Sequence, residues 1–241
     1  MRFSVVFFLC FFIVLSSRDF ILFSRSQDKI VKNKKDNLKY AIVRITDGRQ
    51  AIGSGSLVAL KNGRAYILSS NHVIRDIKEI TLELFSEKSY PNVNFRLVNA
   101  LPINSSIDSD LALLSVPYKR SDALTFISIS SKKPAIEKGF SASSIGCSDL
   151  SPPTLEKVTV LSRKLLENPL SGSAFYWQMK STSRPGRSGG PLINVDEELI
   201  GVCSGNQGKF GYFTHLDEIH RFLKSEKMDW LIGWQLPKNG H

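Results

Sequence analysis

From position 40 onward the chain breaks into short runs in which apolar and polar residues alternate. That is the spacing of half-buried antiparallel strands, whose successive side chains point to opposite faces of a sheet. Six such runs fall at 40–46, 55–60, 65–70, 80–85, 95–99 and 111–116. After the stretch 117–133, six more fall at 140–146, 156–162, 174–179, 191–194, 199–204 and 210–214. Turn chemistry separates the runs: Asp47-Gly48 and Asn62-Gly63 are dipeptides that tolerate positive φ and close hairpins. Six and six predict two similar halves of an all-β fold. The one helical pattern comes last, where Leu216, Ile219, His220 and Leu223 repeat at i, i+3, i+4, i+7.

Before position 40 the pattern changes. Met1 and Arg2 precede an apolar run at 3–15, followed by Ser16 and Ser17, which is the order of a secretory signal. The run is short of the roughly 20 apolar residues that span a bilayer. However, Phe20 to Phe23 resume it, and no clean Ala-x-Ala cleavage site follows. Residues 1–26 therefore read as a signal peptide or an N-terminal membrane anchor. Residues 27–39, with Lys29, Lys32, Lys34 and Lys35, read as a basic linker. Either reading exports residues 40–241 to the periplasm or the extracellular space, with membrane association only through the N-terminus.

Composition adds a few bounds. The chain has 241 residues, and its hydrophobic fraction of 42% is enough for a sizeable core. Half of its net charge of +10 lies in residues 1–40, and the later basic residues are scattered without aromatic interleaving, so no nucleic-acid partner is expected. Cys10 lies in the apolar run. Cys147 and Cys203 can form one bridge or stay free, and their apolar surroundings suit buried thiols. Neither has the spacing of a zinc site; no metal and no cofactor are expected, and nothing in the pattern specifies an oligomeric state.

The sharpest local feature is Arg184-Pro185-Gly186-Arg187-Ser188-Gly189-Gly190-Pro191-Leu192. Glycines on both sides of a serine allow a tight turn that bares its hydroxyl and aims nearby N–H groups at the same point, as acyl transfer requires. The expected oxyanion donors are the N–H groups of Gly186 and Ser188. Taken alone, such a turn is more often only a loop. A serine hydroxyl needs a base that works near neutrality, which means histidine. Of four histidines, His72 emerges at the end of the run Tyr66-Ile67-Leu68-Ser69-Ser70-Asn71, while His215, His220 and His241 lie around or beyond the terminal helix. A carboxylate should orient the imidazole. Asp110, the last polar residue before Leu111-Ala112-Leu113-Leu114, fits better than Asp108 further out. Each signal alone has an ordinary structural explanation.

Together they occur in the order His72, Asp110, Ser188. Asn71-His72-Val73-Ile74, Asp110-Leu111-Ala112-Leu113-Leu114 and Gly186-Arg187-Ser188-Gly189-Gly190-Pro191-Leu192 resemble the three signature blocks of trypsin-like serine proteases, which come in that same order. The first block, with Ala51-Ile52-Gly53-Ser54-Gly55-Ser56, resembles the bacterial HtrA/Deg branch in particular. The resemblance covers residues 40–225. It implies two six-stranded antiparallel β-barrels, about 40–117 and about 134–215, with the active site between them and a C-terminal helix at about 216–225. It further implies a catalytic triad of His72, Asp110 and Ser188 and a protein or peptide substrate. Ser204 and Gly205 would lie on the strand that pairs with substrate, Thr182 at the base of the primary specificity pocket, and Gly205 and Gly211 on its walls. With no acidic residue at that base, small or medium apolar side chains are expected rather than Lys or Arg.

Two departures from the family pattern stand out. Arg187 replaces the acidic residue that many members carry just before the serine, where it pairs with a freshly cleaved N-terminus, and no activation sequence precedes Tyr40-Ala41-Ile42-Val43. Zymogen activation is therefore not expected. No PDZ-like region is expected after the protease domain. The function expected is that of a serine endopeptidase; the alternative is a catalytically silent protease-fold module that binds peptides at the membrane.

Overall fold

The structure is a computed structural model and describes residues 37–119, 123–133, 138–168 and 172–236. The expectations for residues 1–26 and for nearly all of the linker lie outside the described residues. Among those described, no helix is long and apolar enough to cross a membrane.

Among the described residues, twelve strands form two closed antiparallel barrels. The first contains β1 (Ile42–Thr46), β2 (Ala51–Lys61), β3 (Arg64–Ser69), β4 (Ile80–Leu84), β5 (Phe95–Ser106) and β6 (Leu111–Pro117), in the spatial order β1-β2-β3-β6-β5-β4. The second contains β7 (Phe140–Gly146), β8 (Thr154–Asn168), β9 (Gly172–Met179), β10 (Pro191–Ile193), β11 (Leu199–Gln207) and β12 (Phe210–His215), in the order β10-β11-β12-β9-β8-β7. All twelve predicted runs are strands, and closing each sheet on itself pairs its edges. The Asn62-Gly63 turn has φ of 51° and 68°, both positive, as a two-residue hairpin requires, and Lys61 pairs with Arg64 across it. At Asp47-Gly48 the loop is longer: Asp47 Oδ1 accepts from the N–H groups of Arg49 and Gln50, and Gly48 takes φ of 83°.

Strand β6 shows why the barrels dock. Its burial does not alternate; Leu111 to Val116 are all buried. Leu114 and Val116 point into the first barrel with Val43, Leu57 and Ile67. Leu111 and Leu113 point the other way, into a continuous core with Ile145, Trp177, Val202 and Phe213 of the second barrel. A strand covered on both faces reads as a near-continuous apolar run, and this one carries Asp110 at its head. Truncating a side chain such as Leu113 to Ala would cost about 2–5 kcal/mol.

Two local readings need correction. The strand that leads to His72 ends at Ser69, and His72 lies on a one-turn helix, α1 (Asn71–Ile74), pinned by buried Val73 and Ile74. The strand gives way there because Ser70, still extended at φ −92° and ψ 147°, hands over to helical backbone. At the front, a 3-10 turn at Leu38–Ala41 precedes β1, where the alternation suggests strand from Tyr40. The terminal helix α2 (Leu216–Ser225) buries Leu216, Ile219, Phe222 and Leu223, and His215 caps it by accepting from the Asp217 N–H. His220, expected on the apolar face, is half-buried, with Nε2 2.7 Å from the Ser130 carbonyl.

Candidate active site

His72 and Asp110 come from different elements, the one-turn helix α1 and the head of β6, and meet side chain to side chain. The His72 N–H donates to Asp110 Oδ1 at 2.9 Å, and Nδ1 lies 2.7 Å from Oδ2. A carboxylate can only accept, so Nδ1 carries the proton and Nε2 keeps its lone pair free for another partner. The imidazole is 35% exposed and the carboxylate 15%, so the ring is open on the side away from Asp110. Asp110 takes φ of 52°, in the left-handed region. That conformation costs an L-residue about 1–2 kcal/mol. Long-range bonds maintain it: Asn71 N–H donates to its carbonyl at 3.2 Å and Ser204 Oγ to its Oδ2 at 2.5 Å.

The loop before Asp110 belongs to the first barrel but is held by the second. Thr214 Oγ1, buried, donates to the Ser109 carbonyl at 2.7 Å, and the Tyr176 hydroxyl donates to the Asp108 carbonyl at 3.3 Å. Burial, and then the nearby charge of Asp110, push the Tyr176 phenol up to about 12, so it stays a donor. Of Thr214, Tyr176 and Ser204, only Ser204 carries a sequence signal, because a hydroxyl bonded to a distant carbonyl leaves no local pattern.

Around Ser188 the carbonyls of the turn are all pinned, while of its N–H groups those of Arg187, Gly189 and Gly190 donate. Five consecutive carbonyls accept hydrogen bonds: Arg184 from Arg187 N at 3.3 Å, Pro185 from Asp149 N at 2.7 Å, Gly186 from Ser54 Oγ at 2.7 Å, Arg187 from Gly190 N at 2.9 Å and Ser188 from Ser54 N at 2.8 Å. Among the described residues, the N–H groups of Gly186 and Ser188 bond to nothing. Gly186 reaches φ of 83° to make this turn. Gly189 is required for a different reason: a side-chain carbon there would lie 2.0 Å from the Ser54 carbonyl and 2.2 Å from Ser69 Oγ. Ser54 is the common anchor, since its Oγ also accepts from the Cys147 N–H at 2.9 Å.

Gly53 packs closely against both the helical turn that carries His72 and the Ser188 turn: an added carbon there would meet Val73 Cγ2 at 2.7 Å and the Ser188 carbonyl at 3.0 Å. No hydrogen bond joins His72 to Ser188 among the described residues. Two open cavities flank the histidine. One, of about 460 Å³, is lined by Asp110, Ile107, Tyr176, Ser204, Gly205 and Tyr212; the other, of about 730 Å³, by Asp47, Gln50, Ile52, Asp76, Ile77 and Glu79.

Of the residues expected to bind substrate, Ser204 and Gly205 lie in the first cavity beside His72, Gly205 with open space where a side chain would be. Thr182 is exposed, and the Gly211 N–H bonds the Ser181 carbonyl at 3.0 Å. At Gly211 the missing side chain permits this close approach, because a carbon there would sit 2.8 Å from that carbonyl. Asn206, unremarked in the sequence, grips the Ser183 peptide from β11, accepting from its N–H at 2.8 Å and donating to its carbonyl at 2.9 Å. Cys147 and Cys203 are free buried thiols, and burial pushes them up to about 12 and about 11.

Comparison with known proteins places these features in a family. Residues 53–202 match the trypsin-like peptidase domain. The chain is 27% identical over 164 residues to the serine protease Do-like HtrA of Bacillus subtilis, covering 66% of this chain and 34% of that protein. It is 30% identical over 158 residues to the periplasmic pH-dependent serine endoprotease DegQ of Escherichia coli, covering 62% and 30%. The chain thus spans about a third of the length of these relatives. The serine endoprotease of Yersinia pestis has the same fold, with a TM-score of 0.61 at 19% identity over 83% of this chain and 67% of that one. Double barrel, matched segment and relatives agree: with HtrA- and Deg-type proteases among the proteins it resembles, the chain belongs to the trypsin-like peptidase family.

Proposed function

We propose that this protein is an exported serine endopeptidase that cleaves peptide bonds through an acyl-enzyme. In this reading His72 Nε2 takes the proton from Ser188 Oγ as the oxygen attacks the scissile carbonyl. The N–H groups of Gly186 and Ser188 hold the resulting oxyanion. His72 then passes its proton to the leaving amine, and a water activated by the same imidazole releases the acyl group and regenerates Ser188. Asp110 keeps the imidazole in the required tautomer throughout.

The observation that carries the reading is the asymmetry of the turn at 184–188, with every carbonyl engaged and the two expected oxyanion donors unengaged. Such a turn has no structural use for two free N–H groups, whereas an acyl-transfer site needs them. The relatives' names, serine protease and periplasmic serine endoprotease, support the same activity and the exported location. The substrate would be a protein or peptide laid along Ser204 and Gly205, with the side chain before the cleaved bond entering between the 181–183 segment and β11. No acidic residue lies in the 181–183 segment, so small or medium apolar side chains are favoured there over Lys or Arg.

Incubating the purified protein with a diverse peptide library and sequencing the products tests activity and preference together. Cleavage after Ala, Val or similar residues is expected, and loss of all cleavage in Ser188→Ala. Peptide binding by the wild type without any turnover would instead establish a silent binding module.

A further inference from the structure

Arg187 stands between the two expected oxyanion donors, and its side chain is 1% exposed, one of the largest fully buried side chains in the protein. A charged residue beside a surface nucleophile would ordinarily extend into solvent. Instead its guanidinium turns into the second barrel and finds acceptors on both of its ends. Nη1 donates to Ser148 Oγ at 2.8 Å, Thr154 Oγ1 at 3.2 Å and the Gly146 carbonyl at 3.4 Å. Nη2 donates to the Ser144 carbonyl at 2.7 Å, Ser144 Oγ at 3.0 Å and the Thr154 carbonyl at 3.3 Å. The balancing charge is Glu156, whose Oε1 lies 3.4 Å from Nη1 and whose side chain is 37% exposed. Burial pulls the Arg187 pKa below its ordinary value and Glu156 counters this; a guanidinium stays charged under such conditions.

A buried, paired cation is no better for stability than a well-packed apolar side chain. What it adds is direction. The planar fork must face fixed acceptors on β7, β8 and the turn between them, which ties the Cα of Arg187, and with it the peptides on either side, to the second barrel. Gly146 permits the approach, because a carbon there would lie 3.1 Å from the Arg187 Cα. The same two peptides carry the Gly186 carbonyl bound by Ser54 and the Ser188 N–H that the proposed mechanism uses.

We propose that Arg187, with Glu156 as its counter-charge, is a positioning residue that holds the oxyanion turn in its donor-outward shape, so that the site is assembled by a charge internal to the second barrel. This rests on the endopeptidase reading above. It also gives the substitution of Arg for an acidic residue a physical meaning: the loop is ordered from below by β7 and β8 and needs no newly cleaved N-terminus.

The test compares Arg187→Lys, Arg187→Met and Glu156→Gln with the wild type, measuring thermal stability, kcat and KM on a cleaved peptide, and affinity for a peptidyl boronate and for a noncovalent product peptide. Loss of oxyanion alignment acts on the transition state alone. Arg187→Met should lower kcat by about a hundredfold or more, as removal of one oxyanion donor does elsewhere. Arg187→Lys should recover part of this, and Glu156→Gln should lose about three- to tenfold, because its partner keeps the other acceptors. Boronate affinity should fall in parallel, while KM and product-peptide affinity change by less than about threefold. Folded variants with wild-type kcat and boronate affinity would overturn the proposal. If Arg187→Met does not fold, Arg187→Lys and Glu156→Gln decide it by the same criteria. If the wild type turns over no peptide, the endopeptidase reading fails first. The amide resonances of Gly186 and Ser188 in Arg187→Lys then decide the positioning role: displaced signals support it and wild-type positions overturn it.

Discussion

The two halves of the site are built differently. The half around His72 and Asp110 is a contact between side chains: one carboxylate receives a backbone N–H, an imidazole and a serine hydroxyl. The half around Ser188 is a shape of the backbone, fixed by five occupied carbonyls and by glycines that let other chain segments approach. Each half belongs to one barrel and is braced by the other. Thr214, Tyr176 and Ser204 of the second barrel hold the Asp110 loop of the first, and Ser54 of the first, its carbonyl bound by Ser69 Oγ, holds the serine turn of the second. Charge placement therefore depends on a few long-range hydroxyl bonds, whereas donor placement depends on many backbone bonds, and the two should fail differently.

On the proposed mechanism, the largest expected effects come from removing the reacting groups. Ser188→Ala or His72→Ala should lower kcat by about 10⁶, and Asp110→Asn by about 10⁴ because the imidazole would lose its tautomer, with little change in thermal stability. Steady-state kinetics checks both, and a residual rate near wild type in any of them would break the division of roles.

Next come the braces. Ser204→Ala removes one hydrogen bond from the Asp110 carboxylate, which keeps two other partners and some contact with water, so it should cost about ten- to a hundredfold in kcat and little stability. Ser54→Ala removes the anchor of the Gly186 carbonyl and strands the Cys147 N–H, so it should lose both kcat and about 1–3 kcal/mol of stability. Denaturant titration beside kinetics distinguishes the pair: stability falls for Ser54→Ala and holds for Ser204→Ala. Equal behaviour would erase the contrast between the two halves. Thr214→Val should be milder, lowering stability by about 1 kcal/mol through the Ser109 carbonyl it leaves unpaired.

The smallest effect is a pH dependence away from the site. His215 is buried against Trp177, ring centroids 4.1 Å apart, with Nδ1 accepting from Asp217 N–H and Nε2 unpartnered. Burial lowers its pKa to about 4, Asp217 opposing and Arg163 assisting. The folded state thus resists a proton that the unfolded chain accepts below about pH 6.5, so stability is full above that value and is lost as pH falls toward 4, by about 3 kcal/mol at most. His215→Asn keeps the helix cap and removes the titration, and its melting temperature should vary less between pH 6.5 and 4 than that of the wild type.

Much of the fold was legible because strands and hairpins write themselves locally. Period-two alternation locates all twelve strands, but it ends β5, β8 and β11 too early. Residues such as Asn104, Lys164 and Asn206 join those strands through backbone pairing that polar side chains do not announce. His72 is expected at a strand end and lies on a helical turn, since a single turn is too short for a helical period to appear. At the site, glycines around Ser188 and the apolar run after Asp110 are local signals. Ser54, Tyr176, Thr214 and the buried course of Arg187 are not, because their partners lie far away in sequence.

The most direct test of cooperation among residues 72, 110 and 188 is mass-spectrometric mapping of a fluorophosphonate adduct on the wild type and on His72→Ala. The account predicts a single adduct on the Ser188 peptide of the wild type and its near-complete loss when the imidazole is gone. An adduct on another residue, or equal labelling of both proteins, would contradict it.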